Sequence, residues 1–394
     1  MTVSFHHGDC REVLRTMPDK SVHCCVTSPP YFGLRCYGHP DQIGLEPTPD
    51  AFVAEMVAVF REVRRVLRDD GTAWINLGDS YATTSGGGQQ VAQTNTGAGP
   101  APRRIGAGKI NGVKPKDLLG IPWRVAFALQ ADGWYLRQDI IWSKPNPMPE
   151  SVTDRCTKAH EYIFLLSKSA RYYYDADAIK EASLDPASYE PRGARNPDKR
   201  EGDKFFATKV GNHANGKIYP TRNRRSVWEV ATHSFSEAHF ATFPPDLIEP
   251  CIKAGCPQKC CGKCGAPWVP DVERQRGPIA ETFNPKNLAK IEMGLLGVKT
   301  GLCQPGWRNK PIASSQTLGF APSCSCNADT IPGTVLDPFA GAGTTGLVAD
   351  RLRRNAILIE LNPEYAAMAE RRIRDDAGMF FGVSSGAIPD LERA

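Results

Sequence analysis

Residues 335–346 read Val-Leu-Asp-Pro-Phe-Ala-Gly-Ala-Gly-Thr-Thr-Gly, which predicts a buried strand, a glycine-rich turn and the start of a helix. The G-x-G-x-x-G spacing, which lets a ligand approach the backbone at a helix N-terminus, is met by Gly341, Gly343 and Gly346. A second predicted strand ends at Glu360, where units of this kind carry a ribose-binding acid. The stretch therefore predicts an α/β sheet that binds a nucleoside-containing cofactor. The alternative is a tight strand–helix turn with Glu360 on the surface.

The side chains of this turn argue against a dinucleotide. A carboxylate at Asp337 would repel a pyrophosphate, and Thr344 and Thr345 add hydroxyls rather than positive charge. S-adenosylmethionine has no phosphate and carries a cationic end, so an aspartate at the strand tip suits it. We expect S-adenosylmethionine as the cofactor.

A second stretch of interest follows an apolar run at 22–26 and reads Ser28-Pro29-Pro30-Tyr31. The two prolines end the predicted strand, because proline lacks an N–H and fixes φ. The strand end then presents a hydroxyl, backbone carbonyls and an aromatic face. Hydrogen-bond acceptors beside a stacking surface suit a flat, amino-bearing ring such as a nucleobase. The alternative is a strand terminator that packs a tyrosine.

The remaining elements alternate as in an α/β protein. Apolar runs predict strands at 3–9, 72–77, 134–142, 161–166 and 356–359. Helical spacing predicts helices at 10–17, 48–71, 118–132, 246–254 and through 347–352, with Asp9 and Thr48 as N-caps.

Composition narrows the class of protein. The chain has 394 residues, 41% of them hydrophobic and 23% charged, as in a globular protein. No apolar run reaches membrane-span length, and the N-terminus lacks the features of a signal peptide, so we expect a cytoplasmic location. The 13 cysteines cannot all pair internally, and clustered cysteines in a reducing compartment indicate metal more often than disulfides.

Two stretches differ in composition from the rest. Residues 85–114 are rich in Gly, Ser, Thr, Gln and Asn, which predicts a mobile loop able to cover an active site, or a surface insertion. Residues 191–225 carry ten Lys/Arg against three acids, a net charge of +7, with interleaved aromatics. Cations beside aromatic faces favour contact with nucleic acid, the alternative being a solvated insertion.

The tetrapeptide at 28–31 and the Asp-Pro-Phe-Ala-Gly-Ala-Gly-Thr-Thr stretch at 337–345 together resemble the exocyclic-amino DNA methyltransferases. These bacterial and phage enzymes methylate cytosine N4 or adenine N6. The order, with the tetrapeptide before the cofactor turn, is that of the permuted beta subgroup. The resemblance extends to Gly8-Asp9, 118–169, 226–228, 239–245 and 360–365.

The resemblance implies roles for individual residues. Ser28 and the Pro29 carbonyl would accept hydrogen bonds from the target amino group, and Tyr31, after Pro30, would stack on a flipped base. The cofactor pocket would be lined by Asp9, Phe243, Asp337, Phe339, Gly341, Gly343, Thr344 and Glu360. In such a pocket Glu360 would bind the ribose hydroxyls, Asp9 the adenine edge and Phe243 the methionine end. In the family, serine at the first position of the tetrapeptide goes mostly with cytosine and aspartate with adenine.

A cysteine cluster predicts a second site. Cys261 and Cys264 form a C-x-x-C knuckle, and Cys324 and Cys326 could complete a four-thiolate structural zinc site. The alternative is a set of reduced structural cysteines. Further candidate ligands are Cys256, Cys260 and Cys303, whereas Cys24 and Cys25 are expected in the core.

Together these features predict a Rossmann-like, circularly permuted S-adenosylmethionine-dependent methyltransferase fold. We expect a catalytic half at 1–171, a basic insertion at 172–225, a return to the core at 226–256, a zinc-ribbon-like insertion at 257–330 and a cofactor-binding half at 331–394. The expected partners are double-stranded DNA and a cognate restriction endonuclease. The expected reaction is methylation of cytosine N4, with adenine N6 as the alternative.

The sequence argues against two other classes of protein and leaves a third open. A cytosine C5 methyltransferase needs a nucleophilic cysteine, but the Pro250-Cys251 step lies on a predicted helix. A non-catalytic zinc- and DNA-binding protein would not need both intact motifs. An RNA methyltransferase stays open, because the motifs do not distinguish the two nucleic acids.

Overall fold

The computed structural model describes residues 2–34, 41–82, 113–183, 221–232, 242–276, 313–377 and 383–385. Most of the predicted loop 85–114, residues 191–220 of the predicted basic stretch and Cys303 lie outside these ranges.

The described residues form fifteen strands and six α-helices. In chain order the strands are β1 (Val3–His7), β2 (Val22–Thr27), β3 (Leu67–Leu77), β4 (Tyr135–Ser143), β5 (His160–Ser167), β6 (Glu181–Ala182), β7 (Thr221–Arg222), β8 (Val227–Glu229), β9 (Cys260–Cys261), β10 (Trp268–Arg276), β11 (Ala313–Pro322), β12 (Thr330–Ile331), β13 (Thr334–Asp337), β14 (Asn355–Glu360) and β15 (Val383–Ser385). The helices are α1 (Cys10–Thr16), α2 (Pro49–Val66), α3 (Ile121–Ala131), α4 (Pro245–Gly255), α5 (Thr344–Arg351) and α6 (Pro363–Ala377).

Nine strands form one sheet in the order β15-β1-β14-β13-β2-β3-β5-β4-β8. The strands from β15 to β3 are parallel, β5 is antiparallel to both β3 and β4, and β8 is parallel to β4. This is the predicted Rossmann-like α/β fold, with β13 from the C-terminal part of the chain inserted beside β2 from its beginning.

Helices cover both faces of the sheet. One apolar cluster joins the sheet to α1, α2 and α3, and a second joins it to α4, α5 and α6. Strand β2 is buried along its whole length, and Cys25 faces the first cluster while Cys24 faces the second. Both are core residues, as predicted, because β2 lies in the middle of a sheet covered on two sides.

The predicted elements are recovered with shifted ends. The N-caps are confirmed, since Asp9 accepts from the N–H of Arg11 and Thr48 accepts from that of Ala51. Helix α2 ends at Val66 rather than near 70, because Leu67 is already extended and begins β3. The helix predicted from 118 begins at Ile121, after a left-handed Gly120.

The cysteine-rich region forms two small pairings outside the main sheet, β9 with β12 and β10 with β11. None of the described helices is long and apolar enough to cross a bilayer.

Candidate active site

The carboxyl ends of β1, β2, β13 and β14 lie side by side at one edge of the sheet, which is where ligands bind in open α/β sheets. The turns that follow these strands line a cavity of about 300 Å³. The cavity also receives Thr242 and Phe243 from before α4, and Glu161 from β5. Residues from both ends of the chain therefore meet in one site.

Most of the residues predicted for the site line this cavity. They are Asp9, Ser28, Pro29, Pro30, Tyr31, Phe243, Phe339, Gly341, Thr344 and Glu360. The tetrapeptide and the glycine-rich turn come together because β2 and β13 pair in parallel, with Cys25 opposite Leu336. Two of the predicted residues, Asp337 and Gly343, are not part of the lining.

Asp337 is fully buried below the cavity and ties β13 to β2. Its carboxylate accepts hydrogen bonds from the Thr27 hydroxyl at 2.6 Å, the Thr345 hydroxyl at 2.6 Å and the Phe339 N–H at 3.0 Å. Burial raises the pKa of Asp337 from 3.8 to about 6, against the effect of these hydrogen bonds. The carboxylate therefore lies outside the cavity lining, with protein donors on both of its oxygens, and its part in cofactor binding stays a prediction.

Gly343 serves the packing of helices rather than the cavity. It has φ +72° at the start of α5, and a Cβ there would lie 2.8 Å from the Cβ of Ala369 in α6. A Cβ on Gly346 would lie 2.5 Å from the side chain of Leu358. These two glycines of the motif let α5 approach its neighbours closely.

The first glycine of the motif, Gly341, points its backbone N–H at the acid that the spacing predicted. The N–H of Gly341 donates to Glu360 Oε2 at 2.7 Å, and the N–H of Asn362 donates to Oε1 at 2.9 Å. Burial raises the pKa of Glu360. At the end of the neighbouring strand β1, Asp9 accepts from the backbone N–H and the guanidinium of Arg11. Each acid is therefore held in place by protein donors at the cavity wall.

The hydroxyl of Ser28 points to a side chain that the sequence analysis did not identify. It donates to Asn76 Oδ1, with an O···O distance of 3.3 Å, near the end of β3. The amide nitrogen of Asn76 donates to Glu161 Oε2 at 3.2 Å and to the carbonyl of Tyr162 at 3.1 Å. Because a carboxylate and a carbonyl only accept, they determine which end of the amide faces Ser28.

Tyr31 is held at both its hydroxyl and its ring. The hydroxyl donates to Glu161 Oε2 at 2.6 Å. The ring lies against Gly78, where a Cβ would sit 2.5 Å from Cε2. The sequence signal that could have identified Gly78 is a glycine directly after a strand end, but only the contact shows that the ring needs it.

Glu161 forms an ion pair with Lys144 at the rim of the site. Both side chains are largely buried, with 14% and 18% exposed, and Lys144 Nζ lies 4.3 Å from the ring centre of Trp142. Both residues fall inside the 118–169 stretch of the resemblance, but no pattern in the sequence assigns them a role.

Comparison with known proteins shows the family. A family model described as DNA methylase, of the N6/N4 type, matches residues 22–260 and 325–371. The Type II methyltransferase M.Cfr9I of Citrobacter freundii is 38% identical over 370 residues, covering 94% of this chain and 87% of that protein. M.XycI of Xanthomonas campestris pv. cyanopsidis is 39% identical over 368 residues, covering 93% and 86%.

The chain belongs to the N6/N4 DNA methylase family.

The family match confirms the predicted resemblance, and the protein is a DNA methyltransferase of the class that modifies exocyclic amino groups. Among solved structures, the cytosine-N4-specific PvuII DNA methyltransferase aligns with a TM-score of 0.49 and 18% identity, covering 95% of this chain and 93% of that one. A putative DNA modification methylase from Thermus thermophilus, complexed with S-adenosylmethionine, aligns with a TM-score of 0.47 and 19% identity, covering 98% and 100%.

The four predicted metal ligands of this methyltransferase form one cluster. The sulfurs of Cys261, Cys264, Cys324 and Cys326 all lie within 4.8 Å of one another. Tetrahedral zinc with Zn–S bonds of about 2.3 Å would place its sulfurs roughly 3.8 Å apart. The backbone N–H groups of Cys264 and Lys263 donate toward the sulfur of Cys261 and lower its pKa to about 6. This donor set fits zinc, which binds the thiolate.

The cysteine cluster is docked on the core at the end of β2 opposite to Ser28. His23 Nε2 lies 2.9 Å from the carbonyl of Gly265, and its Nδ1 accepts from the N–H of Thr334. Arg68 donates to the carbonyl of Cys264 at 2.7 Å. Burial lowers the pKa of His23 to about 4.

The described end of the basic stretch is bound to the protein itself. Arg222 and Arg225 each donate to Glu181 at 2.7 Å. Arg224 lies 4.6 Å from the ring centre of Trp228. These three cations anchor the segment on the core, and the earlier cations of the stretch lie outside the described residues.

Proposed function

We propose that the protein transfers a methyl group from S-adenosylmethionine to the N4 amino group of cytosine in DNA. The observation that carries the proposal is Ser28, which lines the cavity at the end of β2 and donates its proton to Asn76. No donor among the described residues contacts its oxygen, so both lone pairs are available to an amino group. Serine at this position favours cytosine over adenine by the family correlation.

The chemistry follows from the electronic structure of an exocyclic amino group. Its nitrogen lone pair is delocalised into the ring, which makes it a poor nucleophile. When Ser28 Oγ and the Pro29 carbonyl accept hydrogen bonds from its two N–H groups, the nitrogen moves toward tetrahedral geometry and the lone pair localises. The nitrogen would then bond to the methyl group as the S–C bond of the donor breaks and leaves a thioether, and the methylated nitrogen would give up one proton. No covalent enzyme intermediate is needed, and the protein contributes positioning and electrostatics.

The target base must leave the duplex to reach this site, because a stacked base cannot approach the cofactor. We infer that Tyr31 stacks on the flipped base. Its fixed hydroxyl and the backing of its ring by Gly78 give it one orientation. A ring that is already fixed loses little entropy when the base arrives.

The cavity suits a cofactor that is cationic and lacks phosphate. Among the lining residues that the structure describes there are four acids, Asp9, Asp41, Glu161 and Glu360, and no Lys, Arg or His. A pyrophosphate would be repelled there, whereas a sulfonium would be attracted. S-adenosylmethionine supplies the methyl group when it is bound. We infer that Glu360 binds its ribose hydroxyls, Asp9 its adenine edge and Phe243 its methionine end, with Phe339, Gly341 and Thr344 beside it.

We further propose that Cys261, Cys264, Cys324 and Cys326 hold a structural zinc ion. The four thiolates would fill a tetrahedral shell, which leaves no open position for a substrate. The metal would then brace the insertion at 257–330 rather than take part in methyl transfer.

The expected partners follow from the family. We infer that the substrate is double-stranded DNA and that a cognate restriction endonuclease exists, since the relatives are Type II methyltransferases. The five-part domain division, with basic insertion 172–225 and cofactor half 331–394, stays a prediction.

Incubation with labelled S-adenosylmethionine and DNA, followed by nucleoside mass spectrometry, tests the proposal. N4-methylcytosine is the expected product. N6-methyladenine would overturn the choice of base, and transfer to RNA but not to DNA would overturn the substrate. Cofactor binding in calorimetry without any transfer would favour a non-catalytic role.

A further inference from the structure

We propose that Glu161, held by Lys144, is a positioning residue for methyl transfer: it orients Asn76 and Tyr31 so that Ser28 presents lone pairs to the target amino group. The inference rests on the proposed role of Ser28 as an acceptor. It adds three residues to the site that neither the motifs nor the family match assigns.

The hydroxyls of Tyr31 and Ser28 compete for the acceptor oxygen of Asn76. The Tyr31 hydroxyl has one proton and two acceptors in reach, Glu161 Oε2 at 2.6 Å and Asn76 Oδ1 at 3.3 Å. The shorter contact to the charged acceptor is the stronger one, so the proton goes to Glu161. The oxygen of Asn76 is thereby left to accept the Ser28 proton.

Glu161 also orients the side-chain amide of Asn76. Its nitrogen donates to Glu161 Oε2, so the carboxylate keeps the oxygen turned toward Ser28. With the amide reversed, its N–H₂ would donate to Ser28 and use one of the lone pairs that the substrate needs. The Ser28 proton would then turn toward the target amino group, which is itself a donor. The carboxylate, together with the carbonyl of Tyr162, therefore determines whether Ser28 accepts or donates.

The ion pair with Lys144 stabilises the largely buried carboxylate of Glu161. A carboxylate that is 14% exposed is costly unless it is paired. Lys144 pairs with the other oxygen, Oε1, and lies over the ring of Trp142. The Trp142 ring is fixed in turn, since its N–H donates to the carbonyl of Val230 at 2.7 Å. Oε2 is thus left to Asn76 and Tyr31.

A purely structural role for the ion pair is the competing explanation. Strands β4 and β5 already pair from Tyr135 opposite Ser167 to Ser143 opposite His160. The ion pair lies at the very end of this ladder, beside the cavity, where it adds little to strand pairing. A structural role predicts loss of stability, whereas a positioning role predicts loss of turnover.

The test compares Glu161→Gln with a matched control, Glu150→Gln. Glu150 also pairs with a cation, Arg155, but no contact joins Arg155 or Glu150 to Asn76 or Tyr31 among the described residues. In Glu161→Gln one amide oxygen must serve both Asn76 and Tyr31, and the amide nitrogen faces the Lys144 ammonium. We expect kcat to fall about 10- to 100-fold, the range for an uncompensated buried polar group.

Three further readouts separate positioning from folding. The dissociation constant for S-adenosylmethionine should stay near that of the unmodified protein, and the fall in kcat should persist at temperatures well below the lowered thermal midpoint of the variant. Lys144→Met should lower kcat, and Lys144→Arg should restore part of it. In an Asn76→Ala background, Glu161→Gln should lower kcat by much less than it does alone, because both act through one hydrogen-bond chain.

Unchanged kcat in Glu161→Gln would overturn the inference, as would full additivity with Asn76→Ala. A fall in cofactor affinity parallel to the loss of kcat, with kcat recovering well below the thermal midpoint, would show a structural role instead. Each variant is compared with the unmodified enzyme, and the assay uses the base that the unmodified enzyme methylates. Failure of the proposed function would instead appear as the absence of transfer by the unmodified enzyme.

Discussion

At the scale of single residues, the hydroxyl of Ser28 has one proton and two lone pairs. Its neighbours determine whether the proton or a lone pair faces the substrate. Asn76 takes the proton at 3.3 Å. A substitution that removes the oxygen should therefore affect the reacting amino group and leave the cofactor walls intact.

Ser28→Ala is expected to lower kcat about 100-fold, comparable with the loss of one pre-organised hydrogen-bonding group. Single-turnover kinetics measures this, and calorimetry should show S-adenosylmethionine affinity within a few-fold of the original. Thr16→Ala, which removes an exposed hydroxyl bonded to the carbonyl of Val13 in α1, is the control and should leave both values unchanged. Full turnover in Ser28→Ala would refute the acceptor role.

Gly78→Ala tests the backing of Tyr31. The new methyl would lie 2.5 Å from ring atom Cε2, so the ring must move. We expect kcat to fall roughly tenfold or more with unchanged cofactor affinity, on the scale of a small misplacement in a site. Gly319→Ala is the matched control, since a Cβ there meets no atom within 4 Å. Equal kcat in the two variants would contradict the prediction.

Asp337→Asn tests the finding that this carboxylate is a structural tie. The folded-state pKa of Asp337 is raised to about 6 from 3.8, so the folded protein binds the proton more tightly than the unfolded chain. Stability from this group is therefore present at low pH and is lost as pH rises from about 4 to 6, by about 3 kcal/mol. The variant should lack this loss, because an amide can accept from Thr27 and donate to Thr345.

Urea unfolding of the two proteins at pH 4.5 and pH 7 measures the effect. The original protein should lose stability relative to Asp337→Asn between these pH values, and cofactor affinity should change little. An identical pH dependence, or a large loss of cofactor affinity, would show that the carboxylate acts at the cavity instead.

At the scale of elements, strand β2 connects the two sites of the protein. Its carboxyl end continues into Ser28, and His23 near its amino end contacts the carbonyl of Gly265 beside the cysteine cluster. The small pairings β9–β12 and β10–β11 bring Cys261 and Cys264 to Cys324 and Cys326 across a gap of about 60 residues.

Cys324→Ser is expected to abolish stoichiometric zinc binding, because a hydroxyl is a poor replacement for a thiolate ligand. Elemental analysis of the purified protein should give about one zinc per chain before the change and much less after it. Cys156→Ser, which alters an exposed cysteine outside the cluster, should keep its zinc. If the unmodified protein contained no zinc even when zinc was supplied, the assignment would be contradicted.

At the scale of the whole molecule, two faces of one sheet bind six helices, and the cysteine-rich insertion docks at the edge opposite the cavity. Arg68 carries part of this docking, since it donates to the carbonyl of Cys264 while 18% of its side chain is exposed. The insertion and the core should therefore come apart more easily when this contact is removed.

Arg68→Ala is expected to destabilise the protein by about 1–3 kcal/mol, the range for a hydrogen bond to a charged donor. Zinc content should be retained, and limited proteolysis should cut the 257–330 region faster. Arg61→Ala, which removes an exposed partner of Asp132, is the control. Unchanged proteolysis and stability would show that His23 and Thr334 hold the insertion without Arg68.

The amino-acid sequence by itself determined the alternating elements, the N-caps, the two motifs, their order and the four clustered cysteines. These depend on periodicity and on residues close in the chain, so they are visible without a structure. The family match confirms the class that the motifs implied, and the roles of the individual residues stay predictions.

Only the tertiary structure decided which side chains complete the site. Asn76, Gly78, Lys144 and Glu161 become partners of the tetrapeptide because β2, β3, β5 and β4 are neighbours in the sheet. Asp337 lies outside the cavity lining, and its carboxylate accepts a hydrogen bond from Thr27, which is 310 positions away in the sequence. Pairing between distant strands sets these contacts, and no local pattern encodes which hydroxyl or amide a strand end will meet.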